Sequence, residues 1–197
     1  MHNLLKIIAA PFFFVLFSCS QEVSNRVQEK DKIIEVNENS HFDPVSFPRR
    51  PVKNGNWGSP PGVFVCSQAP ISESRVRRAV DFWKRQGYEL YGPFMNADFP
   101  ACLGEEKFSW GNIIIDLRGQ KFPEGKLALT TTYRKSSDGT IVGAVIKIQG
   151  FASKKERIIE HEFGHAFGWK HFNRKYHIMN EAYENGGWDS FGLRNIK

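Results

Sequence analysis

His161, Glu162, His165, Gly168 and His171 stand close together in the run E-H-E-F-G-H-A-F-G-W-K-H-F, which spans Glu160 to Phe172. His161 and His165 are four apart, so on a helix their imidazoles lie one above the other and can grip one metal ion. Glu162 is rotated from His161 by roughly 100°, the angular step of an α-helix. That offset makes it a poor ligand in line with the histidines and a good neighbour for a water held by the metal. Gly168 accepts the left-handed conformation that ends a helix, so the chain can turn there and bring His171 back as a third ligand. Three histidines leave the fourth position of a tetrahedral Zn²⁺ open, as catalytic sites do and structural sites do not. The plain alternative is a helix that happens to carry histidines. The five fixed positions of H-E-x-x-H-x-x-G-x-x-H should arise by chance in on the order of one in 10⁵ chains of this length, which favours the metal site.

Several elements must hold these residues in place. Ser153-x-x-Glu156 reads as a capping box that opens the metal helix. Ile158, Ile159, Phe163, Ala166 and Phe167 supply apolar contacts to anchor that helix on a sheet. Upstream, Val63 to Cys66 is a short apolar strand after a Pro-Pro-Gly turn. Ser72 can cap a helix that runs to about Gln86 and ends at Gly87, with Val76, Ala79, Val80 and Trp83 at helical spacing. A second strand begins over Tyr88 to Tyr91, and Asn112 to Leu117 reads as a buried strand. Leu127 to Arg134 and Thr140 to Gln149 are two strands joined by the polar turn Ser136 to Gly139. Thr130 to Thr132 is polar and β-branched, which suits a half-exposed strand.

On His161, Glu162, His165, Gly168 and His171 the chain resembles the metzincin zinc peptidases, position by position. His177-Ile178-Met179-Asn180 resembles the Met-turn below the metal in that family, at a separation similar to its matrixin branch. Tyr183 is similar to a tyrosine that matrixins carry in the S1′ wall. Phe172 departs from the serine that animal matrixins usually have after the third histidine. The resemblance implies an α/β (α+β) fold with a twisted, mixed five-stranded sheet, an antiparallel edge strand, two main helices and a small C-terminal lower half. Gly125-x-Leu127-Ala128 resembles the start of that edge strand, which makes Leu127 and Ala128, with Tyr183, the expected wall of the substrate pocket. Trp188 to Leu193 resembles the start of the last matrixin helix. The loop Gly119 to Lys126 lacks the ligands of the additional metal sites of animal matrixins, so one catalytic Zn²⁺ is expected. The resemblance spans about Val63 to Leu193 and is specific from His161 to Tyr183.

The remaining composition sets the address. The chain has 197 residues and a formal net charge of +6. The basic residues are scattered and form no long run, so a solvated surface is expected and no nucleic-acid partner. Lys6 leads into an apolar run from Ile7 to Phe17, which reads as a secretory signal and is short for a membrane span. Leu16-Phe17-Ser18-Cys19 resembles a bacterial lipoprotein box. The resemblance implies a signal peptide over 1–18, lipid on Cys19, and, with Ser20 following, the outer membrane. A plain cleaved signal or an uncleaved anchor is the alternative. Cys66 and Cys102 then remain, either paired as a disulfide in an oxidising compartment or held as two buried thiols.

Residues 19–56 read as a flexible tether with little core-forming pattern, or as a short pro-segment in which Asp43 could cover the metal; residues 57–197 form the expected catalytic domain. The expectation for the whole is a monomeric zinc endopeptidase acting on extended protein or peptide, with Glu162 as general base, His161, His165 and His171 as ligands and Met179 as the floor. A lipid-anchored binding module that does not cleave, or a metal hydrolase acting on cell-wall peptides, is the other reading.

Overall fold

The computed structural model of the protein describes residues 33–37, 49–98, 100–103, 110–116 and 122–195. The signal stretch, Cys19 and Asp43 lie outside the described residues. The elements in chain order are β1 (Ile33–Asn37), β2 (Gly62–Cys66), α1 (Glu73–Arg85), β3 (Tyr91–Ala97), α2 (Pro100–Leu103), β4 (Asn112–Asp116), β5 (Ala128–Lys135), β6 (Ile141–Ile148) and α3 (Ile158–Ala166). The fold is α+β, with one mixed sheet in the order β1-β5-β6-β4-β2-β3. β3, β2, β4 and β6 run parallel, β5 is antiparallel to β6, and β1 is antiparallel to β5.

Period-two alternation divides the side chains between the two sheet faces. Val63 and Val65 of β2, Ile113 and Ile115 of β4, and Ala144, Ile146 and Ile148 of β6 join α1 and α3 in one core. Ile114 and Val145, from the same strands, point the other way and pack with Cys66, Cys102 and Tyr133. β4 is therefore apolar on both sides, as a central parallel strand must be. Cys66 and Cys102 are joined as a disulfide with Cα atoms 5.4 Å apart, on that second face.

α1 buries Val76, Ala79, Val80 and Trp83, the stripe that its periodicity predicts. The Trp83 indole N–H donates to Glu160 O of α3 at 2.8 Å, and its ring meets Tyr88 and Phe167. That bond and those rings fix the spacing of the two helices. Gly87, at φ 87°, ends α1 as expected.

Four expectations are corrected. The sheet has six strands, not five, because Ile33–Asn37 from the expected tether pairs with Thr131–Lys135 of β5. β5 is thus antiparallel but not outermost over that length. The capping box is not formed: Ser153 Oγ donates to Gly150 O, and α3 starts later, at Ile158. Arg157 precedes it with φ 67°, a left-handed turn that satisfies no cap with its side chain. Thr130 and Thr132 are buried, not half-exposed. Trp188 to Leu193 forms turns rather than a helix, with Leu193 buried in the core.

One position in α3 has no room for a side chain. A Cβ on Gly164 would collide with Met179 Sδ, lie 2.8 Å from Met179 Cε and 3.1 Å from Trp83 Cζ2. Gly164→Ala gains helix propensity of up to about 1 kcal/mol but overpacks the core by about 1–3 kcal/mol. The net expectation is a loss of up to about 3 kcal/mol, read as a lower midpoint in urea unfolding; a midpoint above that of the parent chain would contradict this packing.

Candidate metal centre

α3 carries His161 and His165 one turn apart, with their rings 4.7 Å apart. The chain leaves α3 through Gly168 at φ 89°. A side chain there would also meet Gly55 O at 2.8 Å, so both conformation and space require glycine. The turn returns His171 to the site. His165 Nε2 lies 3.0 Å from His161 Nε2 and 3.1 Å from His171 Nε2.

The hydrogen bonds determine what these nitrogens can do. His161 Nδ1 lies 2.8 Å from Ile178 O, and His165 Nδ1 lies 2.8 Å from Trp169 O. A carbonyl only accepts, so both Nδ1 atoms carry the proton and both Nε2 atoms present a lone pair. Burial pushes His161 down to about 4, His171 down to about 3 and His165 well below its ordinary value. The imidazoles are therefore neutral near pH 7. Unprotonated nitrogens facing one another near 3 Å repel unless a cation lies among them. The three side chains can hold a metal ion, and their donor set fits one.

The residues after His171 form the floor. His177 Nε2–H donates to Phe191 O at 3.0 Å, which leaves Nδ1 to accept the Met179 N–H at 3.1 Å. Phe172 N–H donates to Met179 O at 2.8 Å, and the Phe172 ring packs edge-on against His177. The turn thus does two things. It sets Met179, fully buried, beneath Gly164, and it aims Ile178 O at His161. Phe172, the departure noted in the sequence, is a packing residue of this turn.

Glu162 lies on the cleft side of α3. It lines a cavity of about 720 Å³ together with His161, His171, Leu127, Ala128 and Tyr183. The predicted pocket residues are therefore brought together beside the histidines. Glu162 is buried, and burial pushes its carboxyl up to about 7, against the pull of the Thr130 hydrogen bond and of Lys126. Thr130 Oγ1–H donates to Glu162 Oε2 at 2.5 Å.

Three site residues are not read from the sequence. Thr130 reads in the sequence only as part of a half-exposed strand, but every second residue of β5 faces α3, and that parity could have found it. Arg157 and Lys155 stack on the Tyr183 ring, with the guanidinium carbon 4.7 Å and the ammonium 4.9 Å from its centre. Nothing local to those two residues signals that contact. Across the cleft mouth Lys126 pairs with Glu181 at 3.7 Å.

The segment before β2 is also tied to the centre. Asn54 N–H donates to Gly168 O at 2.7 Å, Lys170 N–H to Val52 O at 3.0 Å, and the Trp57 indole to Ala166 O at 2.9 Å. Residues 52–57 therefore strap the end of α3 between the second and third histidines. No protein family, curated protein or solved structure was found to match the chain.

Proposed function

We propose that the protein is a zinc-dependent endopeptidase of metzincin type, similar to the matrixin branch, that hydrolyses peptide bonds in extended polypeptide. The observation that carries this reading is the convergence of three neutral imidazole nitrogens beside one buried carboxylate in an open cleft. A Zn²⁺ bound by His161, His165 and His171 supplies Lewis-acid polarisation of a carbonyl and a more acidic water. Glu162, a buried carboxylate on the cleft beside His161 and His171, is placed for both halves of a proton transfer. It takes a proton from the attacking water and returns it to the departing amine. Thr130 holds one oxygen of that carboxylate and so orients the other towards the cleft. Leu127, Ala128 and Tyr183 line the space where the substrate side chain after the scissile bond would sit. The lipid on Cys19 and the outer-membrane address remain part of the proposal, as does a monomeric state.

The test pairs metal and activity. The full chain is expected to carry about one zinc per molecule by elemental analysis and to cut unfolded casein until a chelator is added. His171→Ala should lose both zinc and cleavage. Zinc-free chain that cuts casein at the full rate would end this reading, as would a zinc-loaded chain that cuts neither casein nor cell-wall peptide.

A further inference from the structure

β1 occupies part of the sheet edge that an extended polypeptide needs. Its register is Ile33 against Lys135 through Asn37 against Thr131. It takes five of the eight residues of β5 and, among the described residues, leaves Ala128, Leu129 and Thr130 without a partner on that side. Ala128 lines the cleft, and Thr130 holds Glu162. The free part of the edge is thus the part beside the candidate metal centre, and the covered part begins at the next residue.

Direction matters as much as position. β1 runs antiparallel to β5, from Lys135 towards Thr131, and so towards the metal centre. An extended polypeptide that paired with the same edge in the same sense would place its N-terminal flank over Thr131 to Lys135. That backbone already has a partner, and two strands cannot share one edge. β1 is held by more than backbone. Ile33 packs against the core cluster of the second sheet face, and the Glu35 carboxylate lies near enough to Tyr133 to contribute to the rise of its hydroxyl to about 12, after burial.

We infer that Ile33–Asn37 is a built-in stop on the N-terminal side of the substrate cleft, so that the protein acts on polypeptides with only about three residues paired ahead of the scissile bond, as near a free N-terminus. This rests on the peptidase reading above. The stop sets substrate class. Long chains are admitted where their N-terminal flank is short or can bend away from the sheet, and a rigid extended flank is excluded.

The experiment uses the full chain and a Glu35→Pro/Val36→Pro variant. Adjacent prolines remove a β1 donor whichever of the two faces β5, and neither residue belongs to the metal centre. Two peptides are made around the bond that the protein cuts fastest in casein, with three or eight residues ahead of it. The full chain is expected to cut the short-flank peptide at least about tenfold faster in kcat/KM, and the variant to bring the long-flank peptide within about twofold by raising its rate alone. Equal rates on both peptides for the full chain, or an unchanged ratio in the variant, would overturn the stop. Hydrogen exchange without substrate reads the pairing by itself: amides of Thr131–Lys135 should exchange faster in the variant, and no change also overturns it. A full chain that protects those amides yet cuts no peptide overturns the peptidase reading, and the stop falls with it.

Discussion

Glu162→Gln is expected to lower kcat/KM by roughly 10²–10⁴-fold while zinc content stays at about one per chain. Glutamine keeps the shape and can still accept from Thr130 Oγ1–H, so the cleft should not collapse. It cannot take or return a proton. The loss should fall mainly on kcat, because in the proposed mechanism the carboxylate acts on the reacting water rather than on the bound polypeptide. Stability gives a second readout with a definite sign. In metal-free protein the Glu162 carboxyl is raised from 4.5 to about 7 by burial. A raised acid stabilises the fold below its unfolded value and loses that contribution as pH rises through the folded one, here between about 4.5 and 7, by up to about 3 kcal/mol. Metal-free Glu162→Gln should therefore melt above the metal-free parent at pH 8 and close to it at pH 4.5. A variant that keeps more than a tenth of parental activity would remove Glu162 from the mechanism.

Cys66→Ala/Cys102→Ala is expected to cost about 4 kcal/mol of stability, from loop-closure entropy over a 36-residue separation. For a domain of this size that lowers Tm by on the order of 10–15 °C. The effect should be confined to stability. The disulfide sits on the sheet face with Ile114, Tyr133 and Val145, whereas α3 lies on the other face. Zinc content and kcat/KM at low temperature should therefore match the parent. Calorimetry and metal analysis on one preparation decide it: an unchanged Tm, or zinc lost below the melting transition, would contradict that role of the cross-link.

The candidate metal centre is legible in the sequence because its geometry is local. Four-residue spacing fixes the relation of His161 to His165, and the need for a left-handed residue fixes Gly168. Met179 needed the family resemblance, since a buried methionine is ordinary core anywhere else. The central strands were legible from apolar runs such as Asn112–Asp116. β1 was not. Ile33, Ile34 and Val36 do not alternate cleanly, the neighbours are charged, and the partner strand is about a hundred residues away in sequence. Ile33, Ile34 and Val36 favour extended backbone, but so short a run in a charged context marks no strand until it docks on β5. The start of α3 departs from the sequence expectation for a similar reason. Ser153 has a nearer carbonyl at Gly150 to bond, which removes it from the cap, and the stacking of Arg157 on Tyr183 accompanies a left-handed turn that no local rule predicts.

The strap over residues 52–57 also has a mechanical meaning. Among the described residues, tension applied from the N-terminal side, once β1 has peeled from β5, meets as its first backbone hydrogen bonds those between Val52 and Lys170 and between Asn54 and Gly168. Those bonds flank Trp169, whose carbonyl holds His165 in its tautomer, and Lys170 is followed directly by His171. After β1, the load path from the N-terminal side thus crosses the turn between the second and third histidines before it reaches β2, and the candidate metal centre lies nearer to that load than the core does.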